Sequence, residues 1–511
     1  MDEGRGVSAR AVVAAAALLS LVVLVVQWAS RRHEPVEAAL VALIQPPPPT
    51  VRLWLSTADR RLQLARQPDI PLDTTPPTPD DLTVDLGRRY QTLTGFGAAM
   101  TDSSAWLIEN KLNATQRESF LEEMFGPPPG LNLNMARLSI GASDFSRQHY
   151  TLDDMPAGQT DPQLEHFNVA ANLPDVIPVM QQVLSINPDL LIIATPWSAP
   201  AWMKSSANLI GGALLGQYES TYADYLVRYV DTYRRYGIPI FALTVQNEPG
   251  FVPQTYPGME MPVDTRTRII GQYLGPALAR RRPQTVVLGW DHNWDEPQQP
   301  LTELADETAA PYIAGVAWHC YRGDPSAQTP VHRAYPRKDA YITECSGGDW
   351  ESAKNGELMW FARDLLLGGL RNWARGVVYW NLALDQDYGP HAGGCDNCKG
   401  MVVIDSRNGA ITRNDEYYAF AHYSRFALPG AARVWSTANG KGIANVAFQN
   451  ADDGSVVLVV VNSGTKAHAI AVHQGSVHFR YEMPAQSVAT FVWQPGHDDD
   501  ADNGAADTDT Q

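Results

Sequence analysis

Two glutamates stand where short apolar runs of the sequence end. Glu248 closes the string TVQNE, and Glu344 closes the string YITE. Two carboxylates that face one pocket can cleave a glycosidic bond, because one protonates the leaving oxygen while the other attacks the sugar or activates a water. Either glutamate alone could be an ordinary surface acid. Together they predict a hydrolytic site with Glu248 as general acid/base and Glu344 as nucleophile.

The glutamates fall within a repeated pattern of apolar, β-branched runs and helix-like stretches, which is typical of an α/β protein built from βα units. Eight such units close into a (β/α)8 TIM barrel, whose active site forms at the C-terminal ends of the strands. Glu248 and Glu344 would end the fourth and seventh strands, which lie across the barrel mouth from each other. The predicted strands are Thr94–Met100, Asn134–Ile140, Leu190–Pro196, Phe241–Glu248, Thr285–His292, Gly315–Tyr321, Ala340–Glu344 and Gly376–Leu382.

A second domain is predicted from strands on both sides of the barrel. We expect residues 51–90 and residues 429–494 to combine into one β-sandwich appended to the barrel, which would span residues 91–428. The sandwich is given no chemistry. Its predicted strands are Val51–Leu55, Leu82–Val84, Ala444–Phe448, Ser455–Asn462, Ala467–Val472 and Ser487–Trp493.

The N-terminus predicts a membrane segment, since Ala11–Ala29 is an apolar run flanked by arginines. We assign residues 1–30 to a transmembrane or signal helix. An uncleaved anchor is favoured because no clean cleavage site follows, and secretion after signal cleavage is the alternative. Residues 31–50 form a proline-rich linker, and residues 495–511 an acidic tail that is expected to be disordered. The sugar chemistry places the catalytic domain outside the cytoplasm, with the membrane as a partner through the N-terminal helix.

The net charge argues against nucleic-acid binding, and the cysteine spacing argues against a zinc site. The formal net charge of -17 leaves no basic surface for nucleic acid. Cys395 and Cys398, in the loop GGCDNCKG, are expected to form a disulfide in an exported protein. Cys320 and Cys345 stand alone in predicted strands and are expected to be buried free thiols. A zinc site would require further ligands beside these cysteines.

Six separated strings occur along the chain, namely GFGAAMTD from Gly95, RLSIGASDFS from Arg137, TPWSAPAWMK from Thr195, QNEP from Gln246, TECS from Thr343 and WNLAL from Trp380. They closely resemble glycoside hydrolase family 30, which includes glucosylceramidases, and the resemblance spans residues 51–493. It implies retention of anomeric configuration, with no cofactor and no metal. It also implies a glucose-binding site made of Asp102, Trp197, Asn247, His319, Tyr321 and Trp380.

The implied residues have physical roles, and most have structural alternatives. Asp102 could accept bonds from sugar hydroxyls or cap the helix that follows it. Trp197 and Trp380 offer apolar faces to a sugar ring, but could also pack in the core. The amide of Asn247 could bond a sugar 2-hydroxyl. His319 would flank the nucleophile, unless it is a hydrogen-bonded core histidine.

The resemblance predicts a retaining β-glycosidase that acts on glucosylceramide or a related β-glucoside. The alternative within the family is an endo-β-1,6-glucanase or a xylanase, because the loop His391–Gly400 resembles bacterial and fungal members more than animal glucosylceramidases. An alternative of another class is a membrane-tethered carbohydrate-binding protein that has lost catalysis. Both glutamates are present, and their presence argues against that loss.

Overall fold

The structure is a computed structural model that describes residues 50–76, 78–79, 81–280, 285–350, 356–438, 440 and 442–496. The predicted membrane segment lies outside these residues, as do all but one residue of the linker and all but two of the acidic tail. Within the described part of the chain, no helix is long and apolar enough to cross a membrane.

Eight parallel strands close into a barrel, in the chain order that the sequence predicts. Each strand hydrogen-bonds to its neighbours in the chain, and the eighth pairs with the first, for example Val377 with Phe96. The barrel strands are Gly95–Ala99, Met135–Ile140, Leu191–Pro196, Ala242–Leu243, Val286–Asn293, Ile313–His319, Asp339–Glu344 and Ala374–Tyr379.

The fourth barrel strand is much shorter than predicted. It spans Ala242–Leu243 rather than Phe241–Glu248. The chain after it stays close to the third strand, since the Asn247 N–H donates to the Pro196 carbonyl at 2.9 Å. Glu248, however, has a φ of 46°, which is left-handed backbone and ends the extended geometry. The glutamate therefore sits in a sharp turn at the barrel mouth.

Helices alternate with the barrel strands and cover the outside of the barrel. The long helix Glu219–Arg235 buries Tyr222, Tyr225, Tyr229 and Tyr233, which recur at helical spacing on one face. The α-helices are Asp102–Lys111, Ala114–Phe125, Val176–Ile186, Glu219–Arg235, Val263–Arg268, Gly275–Ala279, Gln298–Ala305, Gln328–Ala334, Gly356–Trp360, Gly368–Arg371 and Asp415–Ser424. Two π-helical segments and four 3-10 turns complete them, at Ile269–Leu274, Phe361–Leu367, Ala170–Asn172, Ala201–Met203, Gly216–Tyr218 and Pro325–Ala327.

Strands from both sides of the barrel sequence form one β-sandwich. Thr50–Thr57 pairs antiparallel with the last strand, Ser487–Trp493, and Leu82–Thr92 pairs with Ala432–Ser436. The other strands are Ala65–Pro71, Ile443–Gln449, Val456–Asn462, His468–Gln474 and Val477–Met483. Short strands beside the barrel are Gly347–Gly348, Ala383–Leu384, Cys398–Lys399, Val402–Ile404 and Ile411–Arg413.

The central sandwich strand Val456–Asn462 is buried on both faces. Val456, Leu458 and Val460 point into the sandwich core, whereas Val457 and Val459 belong to the apolar core shared with the barrel. Because successive side chains of a strand point to opposite faces, its continuous valine-rich run serves two interfaces at once.

A buried histidine ties the barrel to the sandwich. His422 lies on the helix Asp415–Ser424 and is fully buried. Its Nδ1 lies 2.8 Å from the hydroxyl of Thr490, and its Nε2 lies 2.8 Å from the hydroxyl of Ser56. A neutral imidazole satisfies both contacts, with one ring nitrogen donating and the other accepting. Burial, with a smaller contribution from Arg425, lowers the pKa of His422 to about 3.

We predict that His422→Leu lowers the free energy of unfolding by about 2–3 kcal/mol at pH 7, because the buried hydroxyls of Ser56 and Thr490 each lose a hydrogen bond to the imidazole. In the unfolded chain His422 binds a proton below its ordinary pKa of 6.5, whereas in the folded protein it stays neutral until the pH approaches 3. The free energy of unfolding of the wild type therefore falls as the pH is lowered from 6.5 towards 3. The variant has no imidazole at this position, so the difference in free energy of unfolding between wild type and variant should shrink by up to about 1.4 kcal/mol per pH unit in this range. Denaturant unfolding from pH 7 to pH 5 measures it.

His149→Gln is the control for this prediction, because His149 is exposed. Its unfolding curves should follow the wild type at each pH. A His422→Leu difference that stays constant with pH would contradict the assignment of a neutral buried imidazole.

Candidate active site

The inside of the barrel changes from apolar to polar towards the C-terminal ends of the strands. An apolar layer contains Met135, Ile193, Ala242, Leu288, Ala317, Tyr341 and Val378. Side chains two residues further along a strand point the same way. In six of these seven strands that position holds a residue of the site, namely Arg137, Thr195, Thr244, His319, Thr343 and Trp380.

The fifth barrel strand departs from this rule through a bulge. The register of its pairing shifts between Trp290 and His292, and both Trp290 and Asp291 have positive φ, at 67° and 68°. A bulge re-aims the side chains that follow it. Asp291 consequently lies within hydrogen-bond distance of five groups from other strands: Arg137, Thr195, Thr244, His319 and Thr343. These contacts keep the carboxylate ionised, because they outweigh its complete burial and hold the pKa of Asp291 far below its usual range.

Arg137 occupies the centre of this polar layer and is fully buried. Its guanidinium donates to a Glu344 oxygen, to Asn247 Oδ1 at 2.9 Å and to Asp291 Oδ2 at 3.0 Å. Burial opposes its charge, but Asp291 and Glu344 outweigh burial and raise the pKa of Arg137. One cation therefore fixes the orientation of three acceptors.

The second oxygen of Glu344 is held from the neighbouring strand. The Tyr321 hydroxyl donates to Glu344 Oε1 at 2.8 Å. Burial of that hydroxyl and the charge of Glu344 raise the pKa of Tyr321 well above its usual range, so it remains a donor. Glu344 itself is 5% exposed. Both of its oxygens are thus positioned by donors.

A disulfide joins the two residues that directly follow His319 and Glu344 in the sequence. Cys320 and Cys345 are bonded to each other, so the expectation of two buried free thiols is wrong. Each cysteine follows the end of its strand, Ile313–His319 or Asp339–Glu344, and these strands are hydrogen-bonded neighbours in the barrel. Neighbouring strand ends in register bring two side chains within bonding reach, which the spacing of the cysteines in the sequence does not reveal.

Glu248 faces two histidines. Its Oε1 lies 3.1 Å from Nδ1 of His319 and 3.5 Å from Nδ1 of His292. Burial opposes ionisation of this carboxyl, but the two imidazoles outweigh burial and lower the pKa of Glu248 to about 2. Burial likewise opposes the charge of His319, but Glu344, Asp291 and Glu248 raise its pKa to about 9. The two pKa shifts have opposite directions, and both favour an imidazolium at His319 beside an ionised Glu248.

The two glutamates lie close together across this histidine. His319 Nδ1 is 3.1 Å from Glu248 Oε1 and 3.9 Å from Glu344 Oε1. The two carboxylate oxygens therefore lie within about 7 Å of each other, whereas retaining glycosidases place the carboxyl groups about 5–5.5 Å apart and inverting ones about 6.5–9.5 Å. This upper bound on one pair of oxygens is compatible with the retaining arrangement.

Asp144 is a site residue that sequence reasoning missed. It belongs to the string RLSIGASDFS, but no role was assigned to it. Burial, followed by the charges of Glu344 and Glu248, raises the pKa of Asp144 to about 8. Its neighbour Phe145 packs with Trp197 and Trp380, so Asp144 lies beside the tryptophan pair. Its position four residues after the barrel strand that carries Arg137 is the signal that could have identified it.

The structure brings together five of the six residues that the resemblance implies. Trp197 and Trp380 stack on each other at 5.2 Å between ring centroids, and the Arg137 guanidinium lies over both rings. Asn247 bonds to the same guanidinium. His319 contacts Glu248 and Tyr321 contacts Glu344, as described above.

Asp102 follows the first barrel strand and contacts a different set of residues. It begins the helix Asp102–Lys111, for which Thr101 rather than Asp102 is the N-cap, and it accepts a hydrogen bond from the Tyr150 hydroxyl at 2.8 Å. Burial raises the pKa of Asp102 to about 6, and the charges that act on it are those of Asp175 and Arg147, not the glutamates. These contacts do not join Asp102 to the two glutamates, and sugar binding by Asp102 stays a prediction.

The predicted disulfide between Cys395 and Cys398 is present. Its loop covers the site from one side, since the Ala392 N–H donates to the Asp144 carbonyl at 3.0 Å. Gly394 has a φ of 78°, and a Cβ at this position would lie 2.4 Å from the Cβ of Asp144. The loop approaches Asp144 so closely that a side chain at residue 394 is excluded.

Comparison with known proteins agrees with this geometry. Residues 93–427 match the glycosyl hydrolase family 30 TIM-barrel domain, and residues 430–491 match the family 30 beta sandwich domain. The chain is 35% identical over 443 residues to an endo-1,6-beta-D-glucanase of Neurospora crassa, which covers 83% of this chain and 89% of that protein. It is 28% identical to the lysosomal acid glucosylceramidase of Mus musculus, over 81% of this chain and 82% of that protein.

A solved structure of an endo-beta1,6-glucanase superimposes with a TM-score of 0.79 at 31% sequence identity, covering 87% of this chain and 99% of that chain. The matched regions include both domains and every residue of the site described above. The chain therefore belongs to glycoside hydrolase family 30 and is a glycosyl hydrolase.

Proposed function

We propose that the protein is a retaining endo-β-1,6-glucanase in which Glu344 attacks the anomeric carbon and Glu248 acts as general acid and then as general base. The observation that carries the mechanism is the placement of both carboxylates beside one imidazole, within about 7 Å of each other. Arg137 and Tyr321 hold the two oxygens of Glu344 in place for attack. Such preorganisation lowers the barrier because no reorientation is required at the moment of reaction.

The proton for the leaving group comes through His319. The imidazolium donates towards Glu248 Oε1 over 3.1 Å, and Asp291 holds its other nitrogen at 3.0 Å. A proton passed to Glu248 makes this carboxyl the general acid of the first step. After the leaving group departs, the ionised Glu248 accepts a proton from the water that releases the sugar.

Asp144 and the tryptophan pair provide the sugar-binding surface beside the glutamates. A protonated Asp144 can donate to one sugar hydroxyl and accept from another. Trp197 and Trp380 provide an apolar wall for the C–H face of the ring. Asn247, held by Arg137, is positioned for the 2-hydroxyl.

Action within a glucan chain requires binding surface beyond one sugar. Of the five large hydrophobic side chains that are exposed among the described residues, Phe251, Tyr321 and Trp350 follow barrel strands at the mouth. A cleft of about 400 Å³ next to Tyr321 is lined by Trp350 and Trp360 as well. Exposed aromatic faces on one rim are suited to further sugar units. They support the alternative expectation, as do the endo-1,6-glucanases, which are the more similar of the relatives described above.

We also propose that the catalytic domain is exported and held at a membrane by residues 1–30. Two disulfides support an oxidising compartment, since such bonds are rare where thiols are kept reduced. The apolar run Ala11–Ala29 supports attachment.

Replacing each glutamate should have a different effect. Glu344→Ala should abolish turnover of every substrate, because no covalent intermediate can form. Glu248→Ala should still cleave a dinitrophenyl β-glucoside, whose leaving group needs no acid, but should stall at the glycosyl-enzyme until azide is added. Burst kinetics with and without azide, and labelling by a 2-fluoroglucoside, measure both outcomes.

Asp453→Asn is the control, because this carboxyl lies in a turn of the sandwich, where it accepts hydrogen bonds from Ser455. Its kcat should remain close to that of the wild type. Labelling of any residue other than Glu344, or azide rescue of Glu344→Ala to the retained β-product, would contradict the assignment.

A substrate panel should distinguish the possible activities. β-1,6-glucan should be cleaved to oligosaccharides, with xylan and glucosylceramide cleaved at least about tenfold more slowly in kcat/KM, a difference of about 1.4 kcal/mol in transition-state binding. Product sizes from chromatography report endo action. Release of glucose alone, or faster cleavage of glucosylceramide, would favour a glucosylceramidase-like enzyme.

The N-terminal segment should remain attached to the mature protein. We expect N-terminal sequencing of the membrane fraction to begin before Ala11, because no clean cleavage site follows the apolar run. A mature N-terminus beyond Ser30 would instead indicate cleavage and secretion.

A further inference from the structure

Three side chains in the site have the arrangement of a transition-metal centre. Glu248 Oε1 lies 3.1 Å from Nδ1 of His319 and 3.5 Å from Nδ1 of His292. All three ligand atoms lie within 4.8 Å of one another. Ligands about 2.0–2.1 Å from a tetrahedral ion are separated by about 3.3 Å, so two of the three pairs already have this spacing.

His292 provides a separate indication. It is 9% exposed, and among the described residues no group makes a hydrogen bond of good geometry to its Nδ1, since Glu248 Oε1 lies 3.5 Å away. A buried polar atom without a partner costs free energy that a ligand can recover. This nitrogen faces the Glu248 carboxylate, and an ion between them would be its partner.

His319 is oriented as a metal ligand would be. Its Nδ1 faces Glu248, while its Nε2 lies 3.0 Å from Asp291 Oδ1. Histidines that bind metals generally donate their other ring N–H to a carboxylate, which fixes the ring and strengthens the ligand. Asp291 is itself fixed by groups from several strands, so the ring has little freedom to turn away.

We propose that Glu248, His292 and His319 bind Zn²⁺ or a similar borderline divalent cation, and that the ion inhibits the enzyme. Two imidazoles and one carboxylate suit zinc and leave a fourth position open towards the cleft. Magnesium and calcium require more oxygen ligands than this cluster offers. The ion is an inhibitor that occupies the site, not a cofactor of the reaction.

Inhibition follows from what the ion does to Glu248. A carboxylate bonded to zinc cannot carry the proton for the leaving group or accept one from water, so both steps of the reaction slow. Sugar binding through Asp144 and the tryptophan pair is left in place, so kcat should fall more than KM rises. This effect on turnover rests on the proposed role of Glu248, whereas the binding of the ion does not.

Calorimetric titration of the full chain with ZnCl₂ tests the site. One zinc ion should bind per chain. Glu344→Gln lacks the proposed nucleophile but retains all three metal-binding side chains, so it should bind zinc too. His292→Leu and Glu248→Gln should each weaken binding by at least about tenfold, since even the loss of an orienting partner costs 10–100-fold. His149→Gln, an exposed histidine outside the cluster, should leave the affinity unchanged. MgCl₂ should give no saturable binding.

Thermal unfolding verifies that each variant is folded, and Glu248→Gln preserves the shape of the side chain in case His292→Leu does not fold. Zinc affinity that is unchanged in both folded variants, or no saturable binding to the wild type, would overturn the proposal. If Glu344→Gln binds zinc but the wild-type enzyme cleaves no glycoside, the metal site is supported and the proposed function is refuted. Glycosidase activity that zinc does not lower, despite binding at these residues, would overturn the inhibitory role.

Discussion

The buried guanidinium of Arg137 is the interaction around which the site is organised. A fully buried cation needs compensating charge, and Asp291 and Glu344 provide it. Removing one partner of such a pair typically costs about 3–5 kcal/mol, because a charge is then left in the interior unpaired. The position of Glu344 is therefore set by the charge balance of the barrel interior before any substrate arrives. The same cation lies 5.0 Å from the Trp197 ring and 5.6 Å from the Trp380 ring, so it also orients the tryptophan pair.

Three carboxyl groups close together are given different properties by their neighbours. Glu344 faces a guanidinium and a phenol, Glu248 faces two imidazoles, and Asp144 has burial and two negative charges against it. The neighbours of Glu248 lower its pKa and those of Asp144 raise its pKa, so two acids of one site hold their protons over different pH ranges. Glu344, Asp291 and Glu248 raise the pKa of His319, which favours the imidazolium as the proton donor to Glu248.

Sequence periodicity predicted the eight barrel strands and their order, and the turn spacing predicted most of the sandwich strands. It predicted the two glutamates because each ends an apolar run. The bulge that turns Asp291 inward could not be predicted, since it depends on two positive φ values within a strand of ordinary composition. The Cys320–Cys345 bond was missed for a related reason, since its partners are brought together by the register of neighbouring strands. Asp144 was missed because it lies in a loop, beyond the strand end where polar residues were sought.

The pairing of Thr50–Thr57 with Ser487–Trp493 has a consequence for how such enzymes evolve. The barrel is enclosed in the sequence by strands that must find each other, and one face of the strand Val456–Asn462 is covered by the barrel itself. A recombination event that moved the barrel with only one flanking segment would leave a sandwich strand without its partner, and one that moved the barrel alone would leave apolar valines open to water. The barrel and the sandwich are therefore expected to be inherited as one module, and fusion partners to be added outside residues 50–493.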